Sequence, residues 1–172
     1  MRHVRQNKGR ERKARHCKKE EKGMNQTQKL LQMIVENGRM GADACDQLLP
    51  RTEDEELRKE LMIEKQDYES AARDAETMLS NQGIHPEPKG PMARMGLWMG
   101  MQINTAVDRT SSHIADIVIQ GLTMGIIELT KARNSNSDAD AEAHGIASNL
   151  ITKQQESIDR LKAFLQEKVV VK

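Results

Sequence analysis

A chain of 172 residues that is 37% hydrophobic, 31% charged and only 2% aromatic has room for one domain with its own core, and its composition is that of long helices. It excludes a sheet-built domain, which packs on aromatic and β-branched residues. Two cysteines, Cys17 and Cys45, are too few for a disulfide framework and read as free thiols in a reducing compartment. The net charge of +1 is uneven, because residues 1–23 hold ten Lys/Arg against three Glu, a net of +7, which leaves −6 for the rest.

The stretch MRHVRQNKGRERKARHCKKEEKG (1–23) has too few apolar residues to offset the entropy of ordering it. Three readings fit: an arm that binds nucleic acid through phosphates, an inert solvated tail, and upstream sequence read in frame ahead of a start at Met24. The first lacks aromatic residues to stack on bases and adjoins an acidic body, so nucleic acid is not the expected partner. The third rests on KEEKGM (20–24 with the preceding Lys19), which purine-rich codons encode as a ribosome-binding sequence before a start codon. The domain is therefore set at 24–172.

From Met24 onward the apolar spacing is that of four helices. The first, about 26–49, stripes Leu30, Ile34, Gly41, Cys45 and Leu48, and Pro50 ends it. Thr52 and Glu55 form a capping-box pattern for a second helix over 53–81, with Leu57, Leu61, Tyr68, Ala71, Ala75 and Met78 inward. GIHPEPKGP (83–91) breaks the chain. A third segment over 92–133 carries Met92, Met95, Met99, Ile103 and Ala106, then Ile114, Ile117, Gly121 and Met124, with VDRTSSH (107–113) as a kink or break. Ser137 is the expected N-cap of a fourth helix over 138–168, with Ile146, Leu150, Ile158, Leu161 and Leu165 inward. The fold expected is an all-α, antiparallel four-helix bundle with an extra short Met/Trp segment before the third helix.

Four mid-helix glycines, Gly38, Gly41, Gly121 and Gly125, each cost about 1 kcal/mol relative to alanine, which points to close helix packing at those positions. An internal echo pairs IVENGRMGADA (34–44) with IVIQGLTMGII (117–127), and EKQD (64–67) with TKQQ (152–155). It reads either as a repeat of helix pairs or as chance likeness between amphipathic helices. The most apolar window, 114–127, holds Asp116 and Gln120 and falls short of the ~20 apolar residues of a spanning helix, so no membrane span is expected.

In KGPMARMGLWMGM (89–101), Met92, Met95 and Met99 share a face, and thioethers suit Cu(I). Met101 points elsewhere, however, and no Cys or His joins them. A membrane-surface helix would need more length and a basic face. The segment is expected either to seal a flank of the bundle with Trp98 or to present Met92, Met95, Trp98 and Met99 to a protein partner or a second copy.

Bundles of this kind often hold a di-metal site of one Glu on each of two helices and Glu-x-x-His on the other two. The closest forms here are Glu64-x-x-Asp67 and His113-x-x-Asp116; Glu36, Glu142, His144 and Glu156 have no ligand spacing. Glu64, between Leu61 and Tyr68 on the inner stripe, is the best candidate. Asp67 and His113 are expected at the edge of the core and Asp116 at a solvated or capping position. Ser111 and Ser112 beside His113 point in different directions on a helix and imply no nucleophile-base pair. No Cys-x-x-Cys, phosphate loop or His-Glu-x-x-His occurs.

The run from GPMARMGLWMGM through IADIVIQGLTMGI resembles an uncharacterised family of bacterial, Clostridia-type ferritin-like proteins. Pro91, Met92, Ala93, Trp98, Ile114, Ala115, Asp116, Gly121, Met124, Gly125 and Ile126 carry the likeness, and the order of elements agrees over about 24–168. The resemblance implies a ferritin-like bundle and no assigned activity. Ile119 and Leu122 stand near where related bundles carry acids, a departure that argues against iron oxidation or storage. The expectation is a small cytoplasmic helical protein, more a binding protein than an enzyme, with a degenerate metal site and no cofactor. The rivals are an iron or manganese carboxylate protein and a nucleic-acid binder using residues 1–23.

Overall fold

The computed structural model describes residues 24–86, Gly100 and 109–165. Its described residues form four helices and no strand: α1 (Gln26–Leu48), α2 (Glu55–Asn81), α3 (Ser111–Ser135) and α4 (Ala141–Leu161), with short 3-10 turns at Leu49–Arg51 and Lys162–Leu165. Cys17, Met92, Met95, Trp98 and Met99 lie outside the described residues, so the Met/Trp segment is represented only by Gly100, which is helical.

Each helix buries a seam whose spacing alternates between three and four residues, the repeat that lets neighbouring helices interlock side chains along their length. On α2 the seam is Leu57, Leu61, Glu64, Tyr68, Ala71 and Ala75, and on α4 it is Ala143, Ala147, Leu150, Gln154, Ser157 and Leu161. α1 sits between α2 and α3, and α4 also sits between α2 and α3, so that α1 and α4 face each other diagonally. Neighbours run antiparallel: Arg160 near the end of α4 pairs with Glu60 near the start of α2, and Gln26 at the start of α1 bonds Asp138 just past α3. α2 ends beside the start of α1 (Gln28 Nε2 to Gln82 Oε1, 3.0 Å), whereas Ser111 at the start of α3 reaches Asp54 at the start of α2. The two ends of the 82–110 connection therefore stand at opposite ends of the bundle.

Local chemistry sets the helix ends, and two differ from expectation. Asn25 and Gln28 form a reciprocal capping box at the start of α1 that the sequence reading did not single out. Asp54, not Thr52, caps α2, its Oδ1 accepting from the amides of Glu56 and Leu57. Thr52 is buried because its hydroxyl donates to the Leu48 carbonyl at 2.9 Å, one of the carbonyls the end of α1 leaves unpaired. Arg58 closes the corner by donating to the carbonyls of Leu49 and Thr52. At the other end of α2, the Ile84 and Gly83 amides bond the Leu79 and Ser80 carbonyls, a Schellman motif that needs the positive φ of Gly83.

The VDRTSSH stretch is a helix start, since the Thr110 hydroxyl accepts from the His113 amide and α3 begins at Ser111. Ser137 caps nothing. It is exposed in the turn after α3, and α4 begins at Ala141, three residues later than expected. The reason is tertiary: the Asp138 and Asp140 amides donate to the side chains of Gln26 and Thr27 on α1, which hold 136–140 as a turn.

α3 is long and apolar enough, by length and composition alone, to cross a membrane. In the bundle its Ile114, Ile117, Val118, Leu122 and Leu129 are buried against the other helices. Burial of such side chains contributes about 1.5–3 kcal/mol each.

Candidate functional site

α1 and α2 approach so closely because glycine leaves room. A Cβ on Gly38 would stand 2.6 Å from the Tyr68 carbonyl oxygen and 2.8 Å from the Ala72 Cβ, and one on Gly41 would overlap the Tyr68 ring. On α3, Gly121 is buried, and a Cβ on Gly125 would stand 3.0 Å from Asn37 Nδ2 and 3.3 Å from Gln154 Nε2. The space that Gly125 yields is taken by polar side chains. Asn37 of α1 and Gln154 of α4 are joined across the bundle by a 3.1 Å bond from Gln154 Nε2 to Asn37 Oδ1.

Polar side chains are thus buried at more than one level of the core. Asn37, Glu64, Gln154 and Ser157 are all buried, and Glu64 is the one buried acid among the described residues. Asn37 Nδ2, Gln154 Oε1, Ser157 Oγ and both carboxylate oxygens of Glu64 have no hydrogen-bond partner within the protein. An enclosed polar atom without a partner costs about 1–3 kcal/mol, so each of these atoms favours a further hydrogen-bond partner.

Glu64 sits where the sequence put it, between Leu61 and Tyr68 on the seam of α2, and is 2% exposed. Burial pushes its pKa up to about 7. The Ser157 hydroxyl, near enough to favour the carboxylate yet not placed to bond it, opposes the rise; so does Arg160, while Asp67 and Glu60 add to it. Glu64 faces a cavity of about 20 Å3 between α1, α2 and α3, lined also by Gly41, Cys45, Tyr68, Val118 and Leu122. Burial pushes the Cys45 thiol far up, with Glu64 and Asp46 adding and Lys65 opposing. The Tyr68 phenol is likewise raised, first by burial and then by Glu64 and Cys45. Thiol and phenol are both protonated at neutral pH, so Cys45 is no nucleophile there.

The other sequence candidates do not join Glu64. Asp67 lies at the rim, paired with Lys153 of α4. His113 is half-buried in the first turn of α3, and Asp116 is exposed and accepts from Gln120 Nε2 at 2.9 Å. Among the described residues no three of His, Cys, Asp and Glu come together as a metal-ligating group. The echo of EKQD with TKQQ has no structural counterpart, since it sets buried Glu64 against exposed Thr152. Sequence reasoning missed Asn37, Gln154 and Ser157. Their signal was their register: Gln154 follows Leu150 by four and precedes Ile158 by four, the place of a core side chain.

No family model matches the sequence, and no curated protein matches it significantly. Among solved structures the chain is similar to a DUF305 fragment from Deinococcus radiodurans, with a TM-score of 0.66 and 19% identity over 83% of this chain and 96% of that one. DUF305 is an uncharacterised domain, and at this identity the likeness shows a shared helical fold and nothing about activity.

Proposed function

We propose that this chain is a ferritin-like helical bundle that acts by binding and not by turnover, and that its centre is a degenerate form of a di-metal carboxylate site. Support for the ferritin-like reading comes from the topology: antiparallel neighbours, two short turns and one connection whose ends stand at opposite ends of the bundle, as in bundles with a single long crossover. Support for the degenerate site comes from residue types at the central seam positions. Gln154-x-x-Ser157 keeps the spacing of a ligand pair with neutral side chains, Asn37 stands on α1, and Gly125 and Leu122 stand on α3.

The observation that carries the reading is that Glu64 alone among the described residues brings a carboxylate into the core. A di-metal centre is held by about four carboxylates that neutralise the two cations, and one acid with a pKa of about 7 supplies a fraction of that charge.

The test is an anaerobic calorimetric titration of the full chain with Fe(II) and with Mn(II). The reading expects no stoichiometric uptake. One or two metal ions per chain, lost in Glu64→Gln, would overturn it in favour of an iron or manganese carboxylate protein.

A further inference from the structure

The cavity beside Glu64 has the size and lining of a site for one small polar guest. A water molecule needs roughly 10–15 Å3 of such space and two to four polar partners; this cavity measures about 20 Å3. Both Glu64 oxygens are unpartnered within the protein, and the enclosed Cys45 thiol lines the same walls. Leu48, Val118 and Leu122 line the remainder with apolar surface, and the volume suits a guest of the size of one water molecule.

The charged groups around the site decide what kind of guest fits. Arg160 is engaged with Glu60 at 2.7 Å, Lys65 with Asp46 and Lys153 with Asp67, so each nearby cation already serves another acid. The cavity's lining side chains offer one carboxyl, one protonated thiol and one protonated phenol, too few ligands to replace the shell of a divalent cation. A neutral molecule that both donates and accepts hydrogen bonds meets a carboxyl in either of its protonation states.

We propose that this cavity is a hydration site in which one ordered water molecule is bonded to the Glu64 carboxyl and lies against the Cys45 thiol. The proposal rests on the reading of the core as a degenerate site, because the water occupies the space that a ligand set would enclose. It also gives the Leu122 side chain a role, as the apolar wall that limits the site to one molecule.

Two measurements on the full chain test it: a high-resolution crystal structure, and magnetisation transfer from water to the backbone amides of Cys45 and Glu64 by NMR. The expected result is a water within hydrogen-bond distance of a Glu64 oxygen, with transfer to both amides. Cys45→Ser keeps the water and Glu64→Leu loses it, each with a cooperative melt. A dry cavity in the wild-type chain overturns this proposal and leaves the degenerate-site reading standing. A metal ion in the cavity overturns both. The wild-type measurement decides even if Glu64→Leu fails to fold.

Discussion

Replacing Glu64 by glutamine should change how stability depends on pH more than it changes stability at any one pH. The carboxyl titrates at about 4.5 when unfolded and at about 7 in the bundle, so folding takes up a proton between those values. Stability therefore falls as pH rises from 4.5 to 7 and is flat with respect to this group above 7, where both states are ionised. At about 1.4 kcal/mol per pH unit, the interval corresponds to roughly 3 kcal/mol. Glutamine keeps the shape and abolishes the titration. Urea unfolding of both proteins from pH 4.5 to 8.5 isolates the effect, because every group other than residue 64 is common to the two proteins, so that their difference reports the substituted side chain. The variant should gain on the wild type by about 3 kcal/mol between pH 5 and 8. Parallel curves would refute the claim that Glu64 is buried without a partner.

Glycine substitutions should divide by what a Cβ meets. Gly38→Ala, which drives a methyl against the α2 backbone, should cost about 1–3 kcal/mol, whereas Gly145→Ala on α4, with nothing within 4 Å, should stabilise by up to about 1 kcal/mol in the same denaturation assay. Asp54→Ala should cost about 1 kcal/mol through the lost cap of α2, and Ser137→Ala almost nothing, reversing the order expected from a cap at Ser137. In a Cys17→Ser background, Cys45, 3% exposed, should react with a thiol reagent only as fast as the bundle opens, so its labelling rate should track global stability across the variants. Met62→Ser, at a side chain 59% exposed on the outer face of α2, should shift stability by no more than about 0.5 kcal/mol.

The seams were legible because the three-four alternation is a property of the chain itself. Leu57, Leu61, Tyr68, Ala71 and Ala75 on α2 are buried as their spacing requires, and Glu64 was found because it interrupts that series. Helix starts were less legible, since several residues near each start can cap and tertiary bonds choose among them. Thr52 was drawn to the end of α1, leaving the cap to Asp54, and Ser137 lost its role when Gln26 and Thr27 tied down the turn that contains it. The buried polar side chains were half legible. A glutamine on a helix is ordinarily a solvated residue, and only the neighbours on α1 and α3 show that Gln154 faces Asn37 and Gly125. Nothing in the local sequence around Gln154 carries that information.

The most direct test of the account is the titration of the Glu64 side-chain carboxyl itself, followed by carbon NMR in protein labelled at glutamate and assigned by Glu64→Gln. The account predicts a midpoint near 7, well above the ordinary carboxyl value of 4.5. A midpoint near 4.5 would contradict it, because it would mean that the carboxylate is solvated or paired in the folded chain.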